Sequence, residues 1–298
     1  MIQNVAVFTR TNPGFVELGN RLGKEKLFSY INKFGFGKKT GVDLNGEATG
    51  ILFKMDKIGP VELATTAFGQ GVSVTPIQQI TAVSAAINGG TLYKPYIVKS
   101  LNDPETNSVI KENTPTKVRK VISEATSKEV RRALESVVTN GSGRNAYIEG
   151  YRVGGKTGTA QKVDKGKYMV GNYILSFIGF MPADNPKIVI YIAINNPKKV
   201  IQYGGVVSAP VAKSVLIDAI DALNIKRRKV NTEKKYNWDD KKYYTVPNVI
   251  GKKVEEAKQE LDKFNIEYSG SGNIIVDQSP KAGIKIEEES TIRLMLKN

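Results

Sequence analysis

A chain of 298 residues with 40% hydrophobic and 24% charged residues has the composition of a globular protein of one or two domains, long enough for a sizeable core. It contains no histidine and no cysteine, which excludes Ser-His-Asp and Cys-His catalysis, zinc sites of the Cys/His type and disulfides. Its 44 Lys and Arg against 29 Asp and Glu give a net charge of +15, which favours an anionic partner: nucleic acid, anionic lipid and anionic cell wall all qualify.

Any nucleophile must therefore be Ser, Thr, Lys or a carboxylate, and acid/base chemistry near neutral pH falls to a lysine or carboxylate with a shifted pKa. Tyr243 to Asn298 hold 8 basic and 9 acidic residues, so the whole positive excess precedes Tyr243. That split suggests two domains with different surroundings, although a solvated basic surface explains it as well. No apolar run approaches the roughly 20 residues of a membrane span, and Met1 to Arg10 lacks the basic start and apolar stretch of a signal peptide.

In chain order, Asn12-Pro13 reads as a helix start with Phe15, Val16, Gly19 and Leu22 along one face, and Leu27, Phe28, Ile31 and Phe34 mark a second helix ending at Gly35. Thr75-Pro76 caps a third, with Ile77, Ile80, Val83, Ala86 and Ile87 ahead of a Gly89-Gly90 stop. Ser127 to Val138 is another. From Tyr151 the period changes to three strands, Val153 to Gln161, Tyr173 to Phe180 and Lys187 to Ile194, the last two joined by a turn at Pro182 to Pro186. Ser208-Ala209-Pro210 then opens a helix whose apolar face is Val211, Val215, Ala219 and Leu223. This order implies an α+β layer on an antiparallel sheet.

Residues 226–242 hold 8 basic and 3 acidic residues without an apolar period and read as a linker between a unit at 1–225 and one at 243–298. In the second unit, Val254, Ala257, Leu261 and Phe264 mark a helix, and Ile274 to Gln278 and Thr291 to Leu296 alternate as strands, giving one helix on a small sheet.

Gly150 to Thr157 match the phosphate loop GxxxxGK[ST]. That motif works only between a buried strand and a helix. Tyr147-Ile148 is too short for the strand, and Gly158 and Thr159 oppose the helix, so a P-loop NTPase is the least favoured reading. The alternative is Lys156-Thr157-Gly158-Thr159 on a strand. Ala67–Gln78 (AFGQGVSVTPIQ), Tyr151–Gln161 (YRVGGKTGTAQ) and Ser176–Pro182 (SFIGFMP), extended by Asn12–Gly19 (NPGFVELG) and Tyr203–Pro210 (YGGVVSAP), resemble in order the landmarks of a class B penicillin-binding transpeptidase. Tyr244–Gly251 (YTVPNVIG) with Gln278–Gly283 (QSPKAG) resembles a PASTA domain.

The resemblance implies a penicillin-binding/β-lactamase-like transpeptidase fragment plus a small PASTA domain, of the division or sporulation branch. In that family a serine is acylated by the D-Ala-D-Ala end of a peptidoglycan stem peptide, which β-lactams mimic. By resemblance, Lys156 supplies positive charge beside the site and the hydroxyls of Thr157 and Thr159 hold the substrate carboxylate. The N–H of Thr159 forms half of an oxyanion hole, and Gly158 keeps the strand edge bare for an extended substrate. The implied partners are stem peptide, β-lactams and wall polymer, with no nucleic acid, metal or organic cofactor, at the extracytoplasmic face of a bacterial membrane.

Two features depart from the family pattern. Its Ser-x-x-Lys nucleophile belongs upstream of Asn12 and is absent; the sole Ser-x-x-Lys, Ser108 to Lys111, follows a turn signal and is expected on an exposed hairpin. Asn12 is the remnant of a Ser-x-Asn motif whose serine position is Arg10, and residues 1–11 fit the family poorly. The expectation is a chain inactive alone, lacking anchor and export signal and completed by an upstream fragment, with a non-catalytic wall-binding or scaffold protein as the competing reading. Ser100 to Asn102 and Ser271 to Asn273 imitate Ser-x-Asn without context.

Overall fold

The computed structural model describes residues 12–164, 166–228, 243–288 and 290–297. Arg10, which figured in the sequence reading, lies outside these.

Helices α1 (Asn12–Leu22) and α2 (Lys24–Lys33) open the described chain, followed by α3 (Pro60–Ala67). Gly19 of α1 lies so close to α3 that a Cβ there would meet the Cβ of Ala67 at 2.5 Å. Helix α4 (Pro76–Ile87) starts as its sequence predicts: Thr75 caps it and Pro76 occupies the first turn. Gln78 completes the capping box by accepting from Thr75 N–H at 3.0 Å. Strands β1 (Thr91–Lys94) and β4 (Thr116–Lys120) pair antiparallel, and between them β2 (Ser100–Asn102) and β3 (Val109–Glu112) form a hairpin exposed along most of its length. Helix α5 (Glu124–Asn140) is longer than the predicted 127–138, because Ser123 caps it through Thr126 N–H at 3.0 Å.

The main sheet has three strands in the order β5-β6-β7: β5 (Gly154–Asp164), β6 (Lys167–Met181) and β7 (Ile188–Asn195). Its register pairs Lys156 with Ile178, Thr157 with Phe177, Gly158 with Ser176 and Thr159 with Leu175. Helix α6 (Gly204–Ala222) covers one face, where Phe177, Met181, Ile190, Ala209, Ala212 and Leu216 build a core. On the other face Phe180 and Ala183 meet Ile87 of α4, with Leu134 of α5 packed alongside.

Helix α6 corrects the sequence reading twice. It begins at Gly204 rather than Ser208, with Pro210 inside it. The Ser208 hydroxyl does not mark the helix start but donates to Leu175 O at 2.8 Å on the sheet. A proline there forfeits one intrahelical bond, to Val206 O. The buried stripe runs through Ser208, Ala209, Ala212, Leu216 and Ala219, whereas Val211, Val215 and Leu223 are exposed. Small residues let the helix approach the sheet closely, and the larger valines turn outward.

The phosphate-loop reading also falls. From Gly154 the backbone enters the ladder with β6, so its N–H groups do not cradle a phosphate, and among the described residues no helix follows Thr157 before α6.

The C-terminal unit holds β8 (Tyr243–Thr245), α7 (Val254–Glu260), β9 (Asn265–Gly270), β10 (Ile274–Ser279), β11 (Lys285–Glu287) and β12 (Thr291–Lys297). Among the described residues there are two small sheets instead of one, β10-β12-β9 and β11-β8, with β9 and β12 parallel. Val246, Val249, Ala257, Leu261, Ile275, Ile286, Ile292 and Leu294 form its core. Tyr244 packs edge-on against Phe264, with ring centroids 6.5 Å apart.

Candidate active site

Strand β5 is an edge strand, so alternate backbone groups of Lys156 to Thr159 face away from β6. Strand alternation sends Lys156 and Gly158 to one face of the sheet, and Thr157 and Thr159 to the face covered by α6. Lys156 Nζ curls back to donate to Thr157 O at 3.1 Å. Thr159 Oγ1 accepts from the first N–H of α6, that of Gly204, at 3.3 Å. The positive end of a 19-residue helix therefore stands against the two threonines.

Thr157 is 5% exposed, and its hydroxyl lies 3.0 Å from Ser142 Oγ. Gly158 has a second reason to be bare: a Cβ there would lie 2.4 Å from Ser176 Oγ on the neighbouring strand. At the foot of β5, Arg152 pairs with Glu135 of α5 and lies 3.4 Å from Asp184. Burial pushes the Asp184 carboxyl up, but the hydrogen bond from Arg228 and the charges of Arg152 and Arg228 outweigh it and hold the group below its usual range. Arg228, in the basic segment read as linker, thus sits against the sheet, its N–H donating to Gly150 O at 3.0 Å.

Among the residues singled out by sequence, Lys156, Thr157, Gly158 and Thr159 are contiguous on β5, while Asn12 stands exposed at the start of α1, which packs on α2 and α3. Ser108 is exposed beside the β2–β3 turn, its hydroxyl engaged with Thr106 Oγ1 at 2.8 Å. Ser142 and Asn145 were not singled out, and Gly204-Gly205 entered only within the Tyr203–Pro210 landmark. Nothing local in Asn140-Gly141-Ser142-Gly143 ties a turn hydroxyl to a strand 15 residues on.

A family model described as the penicillin-binding protein transpeptidase domain matches residues 6–217. The chain belongs to the penicillin-binding protein transpeptidase family. A PASTA domain model matches residues 244–298. The chain is 60% identical over 285 residues to stage V sporulation protein D of Bacillus subtilis, covering 96% of this chain and 44% of that protein. It is 31% identical to the probable peptidoglycan D,D-transpeptidase PenA of Neisseria meningitidis, covering 72% of this chain and 35% of that one. The structure resembles penicillin-binding protein 3 of Mycobacterium tuberculosis complexed with ampicillin, with a TM-score of 0.70 at 30% identity over 76% of this chain and 52% of that chain. The chain thus spans less than half the length of these two curated relatives. Among the described residues, no helix is long and apolar enough to cross a membrane.

Proposed function

We propose that this chain carries the Lys-Thr-Gly half of a serine-type peptidoglycan D,D-transpeptidase site in sporulation or division, and that a preceding portion of the kind its longer relatives have supplies the nucleophile. The single observation carrying this is the edge strand β5, on which Lys156 and the two threonine hydroxyls emerge on opposite faces, with Thr159 Oγ1 held by Gly204 N–H at 3.3 Å. In the first step a serine Oγ forms an ester with the penultimate D-Ala carbonyl, and the terminal D-Ala leaves as an amine, taking up the proton. Lys156 stabilises negative charge on the nucleophile side, and Thr157 and Thr159 donate to the terminal carboxylate. The outward N–H of Thr159 polarises the carbonyl. An acceptor amine then displaces the serine, restoring its hydroxyl.

The same reading divides the protein into a transpeptidase unit at 1–225, a basic linker at 226–242 and a PASTA unit at 243–298 that contacts wall polymer outside the membrane. Ser108 favours a second reading for the 298 residues by themselves, a non-catalytic wall-binding unit, because the sole Ser-x-x-Lys lies on the exposed hairpin. Intact-mass spectrometry with penicillin separates them. The chain alone is expected to gain no adduct, and the chain joined to the N-terminal portion of the Bacillus subtilis relative is expected to gain one, lost in Lys156→Ala. An adduct on Ser108 of the lone chain, or one unaffected by Lys156→Ala in the joined protein, would overturn the proposal.

A further inference from the structure

The turn between α5 and β5 holds a hydroxyl that no motif of the family reading uses. Ser142 is half-buried, and its Oγ lies 3.0 Å from Thr157 Oγ1. The turn itself is fixed from two sides. Asn145 Nδ2 donates to Gly205 O at 2.8 Å, tying the turn to the start of α6. Ala146, next to it, is fully buried in the core beneath α6. Gly205 approaches so closely that a Cβ there would lie 2.3 Å from Ser142 O. Ser142 is therefore held between the first turn of α6 and the strand that bears Lys156.

A threonine hydroxyl has one proton to donate and two lone pairs to accept with. Free, its χ1 samples more than one staggered well, and its proton points wherever water takes it. A hydroxyl at 3.0 Å on one side removes that freedom. If the neighbour donates, the threonine's own proton is left for another acceptor. Thr157 stands on β5 against the positive end of α6, so an anion is the acceptor that this setting favours.

We propose that Ser142 is a positioning residue: it donates its proton to Thr157 Oγ1, locking the Thr157 rotamer and reserving the Thr157 proton for the carboxylate of a stem peptide or β-lactam. The inference rests on the function proposed above for this site, and it adds a determinant of carboxylate recognition outside the Lys-Thr-Gly strand.

The rotamer is tested on the chain as it stands. With threonine methyls labelled, three-bond couplings report χ1 of Thr157. A single rotamer is expected in the parent chain and in Ser142→Thr, and averaging in Ser142→Ala; an unchanged single rotamer in Ser142→Ala overturns the proposal. Recognition is tested in the chain joined to the N-terminal portion of its Bacillus subtilis relative, by comparing acylation by a penicillin and by its methyl ester. Loss of one neutral hydrogen bond predicts that Ser142→Ala slows acylation by the free acid by about fivefold to tenfold, leaves the ester unchanged, and is rescued by Ser142→Thr. Equal slowing of both substrates would mean that the turn merely supports the fold, and the positioning role falls. Lys156→Ala in the same preparation keeps the two failures apart. If it leaves acylation intact, the site reading itself is wrong; if it abolishes acylation while Ser142→Ala keeps the preference for the free acid, only the role of Ser142 is wrong.

Discussion

Arg152 grips both carboxylate oxygens of Glu135, with Nε 2.7 Å from Oε1 and Nη2 2.5 Å from Oε2. The pair joins the middle of α5 to the residue two places before β5, so it fastens the root of the Lys156 strand to the helix beside it. The Glu135 side chain is only 11% exposed, and a carboxylate so placed depends on its partner. Arg152→Ala leaves that charge uncompensated and is expected to lower stability by about 3 kcal/mol. Urea denaturation measures it: the midpoint falls with the slope unchanged. The double variant Glu135→Leu with Arg152→Met recovers most of the loss, since an apolar pair needs no counter-charge. A single Arg152→Ala shift below about 0.5 kcal/mol would deny the pair any structural role.

Gln78 does with neutral groups what Glu135 and Arg152 do with charge. It is 1% exposed, and its Nε2 donates to Lys38 O at 2.7 Å and Thr49 O at 2.8 Å, stitching two loops to the start of α4. In the C-terminal unit, Gln278 is equally buried; its Oε1 accepts from Val249 N–H at 2.8 Å and its Nε2 donates to Pro247 O at 2.9 Å. Replacing either glutamine with alanine strands backbone groups without partners, at about 2–3 kcal/mol. Residues 243–298 carry their own core and are expected to melt cooperatively when excised, with Gln278→Ala lowering the midpoint. Calorimetry of the excised segment that found no transition would refute both expectations.

Legibility followed the range of the interactions. Helix α4 was readable because Thr75, Pro76 and Gln78 cap it locally, and β5 to β7 because their alternation is strong and their turn is rich in proline and asparagine. Strand β9 was missed: Asn-Ile-Glu-Tyr-Ser-Gly has little apolar alternation, and it pairs with β12, more than 20 residues downstream. Ser208 misled because a serine two residues before a proline imitates a helix start, while its hydroxyl is engaged by Leu175 across the sheet. Within the site, the Lys-Thr-Gly run was evident as a string of letters. The brace from Ser142 and Asn145 was not, since it exists only once the turn, β5 and α6 have packed.

Asp43 supplies a pH dependence away from the site. Hydrogen bonds from the backbone N–H of Ile97, the larger effect, and of Val98 hold its carboxyl below the ordinary range; the distances are 2.7 and 2.9 Å. A carboxyl depressed in the folded state contributes stability above its unfolded pKa of about 3.9, and loses it as pH falls through the lower folded value. Protection of the Ile97 and Val98 amides from exchange, corrected for intrinsic rate, is therefore expected to be full at pH 6 and to fade in strong acid. Asp43→Asn should flatten that dependence. Equal pH dependence in the parent and the variant would assign the loosening to another group.

The start of α6 yields the sharpest steric prediction. A Cβ on Gly204 would lie 2.3 Å from Gly158 O and 2.4 Å from Ser176 O, both backbone atoms of the β5–β6 pair. Neither can yield without moving a strand, so Gly204→Ala must push α6 off the sheet. Its N–H then loses Thr159 Oγ1, the contact that sets the helix end against the two threonines. The expected cost is about 2–3 kcal/mol of stability. Rotational freedom is also expected at Thr159, read as averaged χ1 couplings. In the chain joined to its relative's N-terminal portion, penicillin acylation should fall more than the stability loss explains, because protein still folded at the assay temperature carries a displaced helix end. Ala209, already flush against the sheet one turn further along α6, limits how far the helix can tilt to compensate. A Gly204→Ala protein that melts and acylates like the parent would mean that the α6 terminus plays no part in the site.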